Sequence, residues 1–199
     1  MRSRPVLAAG AVALAFAAAG CGSSPSSGGN QAAKSVDPNS AEVSPAGDIP
    51  DNQAFVSYSP PASDYSVKVP EGWARTSANG AVTFSDKLNA ISMQEIAAKA
   101  PLTVARASQT EVPKLAQSVK GFQAGKVDGV TRKAGTAVRV SYLADAKPDA
   151  VTGKAGQDAV ERYLFSKGGH EVILTLSGPK GADNVDPWKI VSDSVKWSQ

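Results

Sequence analysis

The sequence is short of the residues that most enzymes use for chemistry. It has one cysteine, Cys21, and one histidine, His170, among 199 residues. A single cysteine excludes an intramolecular disulfide, and these two residues cannot supply the usual zinc ligand sets, so we expect no metal site. No G-x-S-x-G sequence marks a nucleophile elbow, and His170 follows Gly168-Gly169, which favours a solvent-exposed turn residue. The sequence therefore predicts neither catalysis nor a cofactor.

Long apolar runs are also scarce. The one at the N-terminus, Val6 to Ala19, is 14 residues long and interrupted only by Gly10, whereas a membrane-spanning helix needs about 20 residues. It follows the basic segment Met1–Arg4, and no acidic residue precedes Cys21. A charged start followed by a short apolar run is typical of a secretory signal.

The end of this run, Ala18-Ala19-Gly20-Cys21, resembles the lipobox of bacterial lipoproteins, with Ala18 where that family most often has leucine. The resemblance implies cleavage of the Gly20–Cys21 bond and attachment of a diacylglyceryl group to the Cys21 thiol. Two or more acyl chains, such as palmitate, give stable attachment at about 0.8 kcal/mol per buried methylene. We therefore expect a signal peptide over 1–20 and a protein anchored to the outer face of the cytoplasmic membrane.

The remaining chain carries little net charge. Without Arg2 and Arg4, the 21 basic residues fall to 19 against 18 acidic residues, a net charge of +1. This balance does not favour nucleic-acid binding. Residues 22–54 contain 15 serine, glycine or proline residues out of 33, so we predict a lipidated cysteine and flexible tether over 21–54. Residues 55–199 form a single folded domain, which we expect to be a monomer.

Alternation of apolar and polar residues predicts most of the strands in this domain. One such set is Val138, Val140 and Tyr142, and another is Val172, Leu174 and Leu176. The predicted strands are centred on residues 65–69, 82–84, 91–93, 126–133, 136–143, 163–167 and 170–176. Because the later strands are apolar on both faces, we expect cover on both.

Two helices are predicted. The first is capped by Thr110 and ends at Gly121, with a further helical turn or two over 101–109. The second is capped by Asp186, with Lys196 in its last turn. Because every close connection is hairpin-like, we predict an α+β fold with a mainly antiparallel sheet covered by helices.

The segment Asp64–Trp73 is an extended strand that ends in Pro-Glu-Gly-Trp, and the closing helix carries Trp188 and ends at Trp197. In these features residues 55–199 resemble the PsbP/Mog-type α/β/α sandwich, which actinobacterial lipoproteins of the LpqN kind share. The resemblance implies a partner-binding or accessory protein. For Trp73, Trp188 and Trp197 themselves, core packing is favoured over a ligand pocket.

A long polar connection, residues 144–158, is the predicted partner-binding surface, with a solvated excursion as the alternative. It carries Lys147, Asp149, Lys154 and Gln157. We therefore expect a non-catalytic binding module of the cell envelope with an unknown protein partner or ligand. One alternative is a hydrolase that uses paired carboxylates among Glu95, Glu161 and Glu171. The other is a carrier of a small lipophilic ligand.

Overall fold

A computed structural model of the protein describes residues 46–98, 100–148, 153 and 155–198. Its elements are β1 (Phe55–Tyr58), β2 (Tyr65–Pro70), β3 (Ala74–Ala78), β4 (Ala81–Asp86), β5 (Asn89–Ala97), α1 (Val104–Ser118), β6 (Gln123–Arg132), β7 (Gly135–Asp145), β8 (Gln157–Lys167), β9 (His170–Pro179), α2 (Val185–Asp193) and β10 (Lys196–Trp197). The predicted signal and Cys21 lie outside the described residues. None of the described helices is long and apolar enough to cross a membrane.

The strands form two antiparallel sheets. Seven strands pair in the order β3-β4-β5-β9-β8-β7-β6, and a smaller sheet has the order β1-β2-β10. Strands β8 and β9 are joined by the predicted turn, in which Gly168 and Gly169 have φ values of +59° and +84°. A two-residue hairpin requires these left-handed values, and glycine adopts them at little cost because it has no side chain. The predicted α+β class with a mainly antiparallel sheet is confirmed.

Both faces of the central strands β8 and β9 of the seven-stranded sheet are buried, as the sequence predicts for the later strands. Val172 and Leu174 of β9 belong to one core cluster, which packs against the small sheet and α2, while Ile173 belongs to a second cluster under α1. Tyr65 and Phe165 are among the largest fully buried side chains, and burying such a side chain stabilises the fold by about 1.5–3 kcal/mol. One covering layer is therefore a helix, and the other combines a helix with three strands.

Helix α1 begins earlier than the sequence predicts. Thr103, not Thr110, is its N-cap, because its extended backbone lets the side chain accept a hydrogen bond from the Arg106 amide at 3.0 Å. Thr110 lies in the interior, where its hydroxyl donates to the Arg106 carbonyl at 2.9 Å. Pro113 also lies inside the helix, where it has no N–H to donate to the preceding turn. The helical turns expected over 101–109 are thus the first part of α1.

Two buried carboxylates join α1 to the sheet. Glu111 contacts Lys114 at 2.8 Å and lies 3.6 Å from the Arg162 guanidinium of β8. Glu171 of β9 is 1 % exposed and accepts from Arg106 of α1 at 2.9 Å. Buried ion pairs of this kind fix the position of a helix more than they add to stability, because desolvation of the charges offsets their attraction.

The C-terminal segment differs from the prediction in two ways. Asn184 is the N-cap residue of α2, and Asp186 lies in the first turn, where a negative charge suits the helix dipole. Lys196 is not in the helix: with Trp197 it forms β10, in which Trp197 pairs with Tyr65 of β2. The chain therefore ends by adding a strand to the small sheet.

The ordered domain starts before residue 55, which corrects the predicted end of the tether at residue 54. Ile49 is 4 % exposed within the first core cluster, and its amide donates to Oδ1 of Asn184 at 2.8 Å. The carbonyl of Gly47 accepts from the side chains of Asn89 and Asn184. Because these contacts bury both apolar and backbone groups, the segment around Ile49 belongs to the fold.

Candidate functional site

A cleft of about 270 Å³ opens between α2 and strands β6–β8. It lies on the sheet face that carries the first core cluster, since Tyr163 and Trp188 belong to both. The lining residues with charged or aromatic side chains are Arg132, Arg139, Glu161, Tyr163, Trp188 and Lys189. The inner face of the sheet thus changes from apolar to charged at its β6–β8 end.

Strand register places the charged side chains together. Arg139 of β7 pairs with Asp128 of β6 on one side and with Tyr163 of β8 on the other. Because alternate residues of a strand share a face, the Glu161 side chain lies next to that of Tyr163 on the same face of β8. The result is a row of side chains that crosses three strands.

The centre of the row is an ion-paired network. Arg139 donates to both carboxylate oxygens of Asp128 at 3.1 Å and to Oε1 of Glu161 at 3.0 Å. Lys126 lies 2.9 Å from Asp128. The hydrogen bonds from Arg139 are the main cause that holds the pKa of Asp128 below its ordinary value. Asp128 therefore remains a fixed negative charge.

The row continues into α2 through Tyr163. The Tyr163 hydroxyl donates to Oε2 of Glu161 at 2.5 Å and accepts from Arg132 at 3.1 Å. Burial raises the pKa of Tyr163, and the hydrogen bond to Glu161 raises it further. The Arg132 guanidinium lies over the Tyr163 ring at 5.1 Å and also donates to Ser192 of α2 at 2.9 Å.

The helix side of the cleft is apolar with a basic rim. Trp188 is 8 % exposed, whereas Val185, one turn earlier on α2, is 72 % exposed. Lys189 is exposed beside them. The orientation of this turn is set by Asn184, whose side chain is bonded to Ile49 and Gly47. The cleft is thus bounded by a fixed charged wall and by an apolar helix surface.

The arrangement is suited to recognition. Both oxygens of Glu161 accept hydrogen bonds, from Arg139 and from Tyr163, so the position of this carboxylate is fixed by its neighbours. A volume of about 270 Å³ lies just below the range of roughly 300–1,000 Å³ that is typical of ligand pockets. It would accept one or two side chains of a partner, or a small polar ligand.

Of the four residues predicted to form the partner-binding surface, the structure describes Lys147 and Gln157, and neither of them lines this cleft. Lys147 is exposed beyond the end of β7, and Asp149 and Lys154 lie outside the described residues. Gln157 is the first residue of β8, and its side chain accepts from Lys180 at 3.1 Å. The predicted connection 144–158 is shorter than expected, because β7 extends to Asp145.

The carboxylates proposed for a hydrolase lie apart. Glu161 contacts Arg139, Glu95 contacts His170 at 2.8 Å, and Glu171 contacts Arg106. Glu171 faces α1, on the other side of the sheet from Glu161 and Glu95. Glu161 and Glu95 lie on either side of β9, opposite Leu176 and Val172, so no two of the three groups form the close pair that carboxylate-based hydrolysis needs.

The other two sequence predictions concern a lipophilic carrier and the tryptophans. A groove of about 920 Å³ is lined by lysine, aspartate and serine side chains together with Phe55 and Ile190, so it combines charged groups with apolar surface. Trp73, Trp188 and Trp197 all pack against the first core cluster, as predicted.

The residues at the candidate cleft that sequence reasoning missed include Asp128, Arg132 and Arg139. Alternation correctly places Arg139 on the opposite face from Val138 and Val140, but it does not indicate which side chains Arg139 contacts. A partial signal was opposite charge on two neighbouring predicted strands, at Asp128 and Arg139, with Glu161 just before the next predicted strand. Opposite charges on neighbouring strands favour cross-strand pairing, although the register that unites them comes from folding.

No protein-family model matches the sequence, and no curated protein matches it. Among solved structures, the chain is similar to cyanobacterial PsbP (CyanoP) from Synechocystis sp. PCC 6803, with 14% identity and a TM-score of 0.52 over 73% of this chain and 93% of that chain. It is also similar to LpqN of Mycobacterium tuberculosis, a protein involved in cell envelope biogenesis, with 15% identity and a TM-score of 0.42 over 74% of this chain and 91% of that chain. A protein of Bacteroides thetaiotaomicron VPI-5482 shares 13% identity with a TM-score of 0.44 over 68% of this chain, which spans 46% of that protein. The likeness to CyanoP supports the predicted PsbP-like α+β fold.

Proposed function

We propose that this chain is a lipid-anchored, extracytoplasmic binding module that recognises a cell-envelope partner without catalysing a reaction. The observation that carries the binding module is the cleft between α2 and strands β6–β8, in whose wall Arg139 and Glu161 are already paired. Asp128, Arg139 and Glu161 hold one another in place, so the cleft presents a preorganised surface whose ordering cost was met on folding.

The expected occupant is a segment of a protein partner. Val185 is exposed next to the cleft, and Ile190 of the same helix is 44 % exposed. Exposed apolar residues beside a charged wall combine the apolar core and the polar rim of a protein–protein interface. The cleft then accepts a partner side chain, and the surface of α2 extends the contact.

The anchor is supported by the sequence alone. Cys21 is the single cysteine and directly follows Ala18-Ala19-Gly20 at the end of an apolar run. Lipidation removes a thiol that would be reactive outside the cytoplasm. Replacing Cys21 by alanine, or inhibiting the lipoprotein signal peptidase with globomycin, should release the protein from the membrane fraction or leave it unprocessed. A wild-type chain that remains membrane-bound but unacylated by mass spectrometry would contradict the anchor.

The cleft is tested by site-specific photo-crosslinking in intact cells. A photoreactive amino acid in place of Val185 should give a discrete adduct, and the same substitution at Ala78, exposed on β3, serves as the control. Adding Lys189→Glu should weaken the Val185 adduct at least several-fold, because it reverses the charge of the rim. Equal adducts at both positions, or an adduct at Val185 that ignores Lys189→Glu, would place recognition elsewhere.

A further inference from the structure

Three side chains with metal-binding atoms meet at the opposite end of β9 from the cleft. They are Asp64, Glu95 and His170, and one ligand atom from each lies within 4.8 Å of the other two. Nδ1 of His170 is 2.8 Å from Oε1 of Glu95. The cluster is separate from the cleft, which is lined by Pro179 at the far end of the same strand.

The backbone of each residue is fixed by strand pairing or by hydrogen bonds. Glu95 of β5 is opposite Val172 of β9, and His170 is opposite Ala97, so their side chains are diagonal neighbours on one face. The Asp64 amide donates to Oε2 of Glu95 at 3.3 Å. The Asp64 carbonyl accepts from the Ser198 amide at 2.7 Å, beside β10. The small sheet therefore brings Asp64 over the end of the large sheet.

We propose that Asp64, Glu95 and His170 form a binding site for one divalent transition-metal cation of the Zn²⁺, Ni²⁺ or Cu²⁺ class. The donor set is one imidazole nitrogen and two carboxylate oxygens, and imidazole favours these metals over Mg²⁺ and Ca²⁺. Metal–ligand bonds of about 2.1 Å place neighbouring ligand atoms roughly 3.0–3.4 Å apart in octahedral or tetrahedral geometry. The 2.8 Å between Nδ1 of His170 and Oε1 of Glu95 is close to this spacing, and a ligand atom of Asp64 lies within 4.8 Å of both.

The electrostatics of the cluster favour a cation. The contact of Nδ1 of His170 with Glu95 engages one carboxylate, whereas a divalent ion would neutralise both Asp64 and Glu95 at once. Asp64 is exposed and Glu95 is half-buried, so Asp64 can close on the ion by a side-chain rotation. Lys167 lies beside Asp64 and His170. Its positive charge weakens the attraction of the site for cations, but it leaves the three ligand side chains accessible.

The remaining coordination positions are open to solvent or to a partner. His170 lies between a depression of about 290 Å³, which contains Trp197 and Lys167, and another of about 320 Å³ below Pro60 and Pro61. Three protein ligands with an open position are the pattern of accessible zinc sites, in contrast to closed four-ligand structural sites. The site therefore holds the metal at the surface, where a further ligand can join it.

Metal binding is measured on the chain with Cys21→Ala, so that the thiol does not compete, after chelator treatment and dialysis. Calorimetric titration with Zn²⁺ and Ni²⁺ should show one saturable site. Because Trp197 lines the site, Cu²⁺ or Ni²⁺ should quench tryptophan fluorescence, and a chelator should restore it. Mg²⁺ and Ca²⁺ at equal concentration should do neither.

The variants locate the site. His170→Ala should weaken Zn²⁺ binding at least tenfold, and Asp64→Asn and Glu95→Gln each about tenfold, with folding confirmed by circular dichroism. Glu71→Gln, at an exposed turn, is the matched control and should bind as the parent does. The proposal is overturned by the lack of saturable binding for all three metals, or by binding that His170→Ala and Asp64→Asn leave unchanged.

Discussion

Arg139 of β7 lies directly opposite Asp128 of β6 and donates to both oxygens of its carboxylate at 3.1 Å. The two strands could pair without this contact, but the planar fork of the guanidinium fixes the Arg139 side chain at the wall of the cleft. The same guanidinium reaches Glu161 on the next strand. One residue therefore links three strands and sets the charge distribution of the proposed binding surface.

The first prediction concerns this pair. Arg139→Lys keeps the charge but loses the two-point contact, so we expect it to destabilise the domain by about 1 kcal/mol at pH 7. Asp128→Asn should lower the free energy of unfolding by a similar amount. Urea denaturation of both single variants and the double variant measures their coupling. Single-variant costs that simply add would show that the two side chains act independently.

Acid should remove the contribution of Asp128. Its pKa in the folded protein lies below the ordinary value of 3.8, so the stabilisation is present above about pH 4 and is lost as the pH falls through the folded pKa. The difference in the free energy of unfolding between wild type and Asp128→Asn should therefore shrink as the pH falls from 5 to 2. Glu71→Gln, an exposed carboxylate variant, should show no such narrowing.

The second prediction separates the two candidate caps of α1. Thr103 accepts the first-turn hydrogen bond from Arg106, whereas Thr110 is an interior residue. Thr103→Ala should cost about 1 kcal/mol. Thr110→Ala should cost little or stabilise slightly, because alanine is the better helix former. Thermal or urea unfolding of the two variants decides between the caps, and a larger loss from Thr110→Ala would restore the sequence-based start.

The sequence predicted the strands best where a single local pattern determines the structure. Alternation in the later strands and the Gly168-Gly169 turn predict β7, β8 and β9, because side-chain burial fixes which residues face the core. Short elements without alternation were missed. Strand β3 is entirely exposed, although Asn79-Gly80, with φ values of 52° and 76°, is a hairpin signal that sequence reasoning could have used.

Contacts between distant segments could not be predicted. Asp64, Glu95 and His170 come together through the pairing of β5 with β9 and through the position of the small sheet. The cleft likewise depends on the register between β6, β7 and β8. A single sequence shows which residue types are present on each strand, but register and sheet order arise from the competition of all pairings during folding.

The third prediction tests the N-terminal boundary of the domain. Ile49 is buried in the first core cluster, so Ile49→Ala should destabilise the protein by about 2–4 kcal/mol. Val56→Ala, at a residue that is 42 % exposed, is the control and should cost much less. A chain that begins at residue 46 should also unfold at higher urea than one that begins at residue 55. Equal urea midpoints for these two chains would show that residues 46–54 belong to the tether.

The fourth prediction concerns alkaline pH. Burial is the main cause that raises the pKa of Tyr65, Tyr142 and Tyr163, and nearby Glu95 and Glu161 raise those of Tyr65 and Tyr163 further. Each of these residues keeps its proton in the folded protein at a pH where the unfolded chain, near the ordinary value of 10.0, has lost it. The unfolded state then binds fewer protons, so stability falls as the pH rises above about 10.

The decline should reach at most about 1.4 kcal/mol per pH unit for each such tyrosine. Urea midpoints at several pH values from 8 to 11.5 measure it, and absorbance of tyrosinate reports the ionisation directly. Tyr142→Phe is the sharpest variant, because burial alone raises that pKa. It should reduce the loss of unfolding free energy per pH unit by the contribution of one tyrosine, and it should leave stability at pH 7 nearly unchanged. If Tyr142→Phe and wild type lose stability in parallel up to pH 11.5, then Tyr142 ionises as readily in the folded protein as in the unfolded chain.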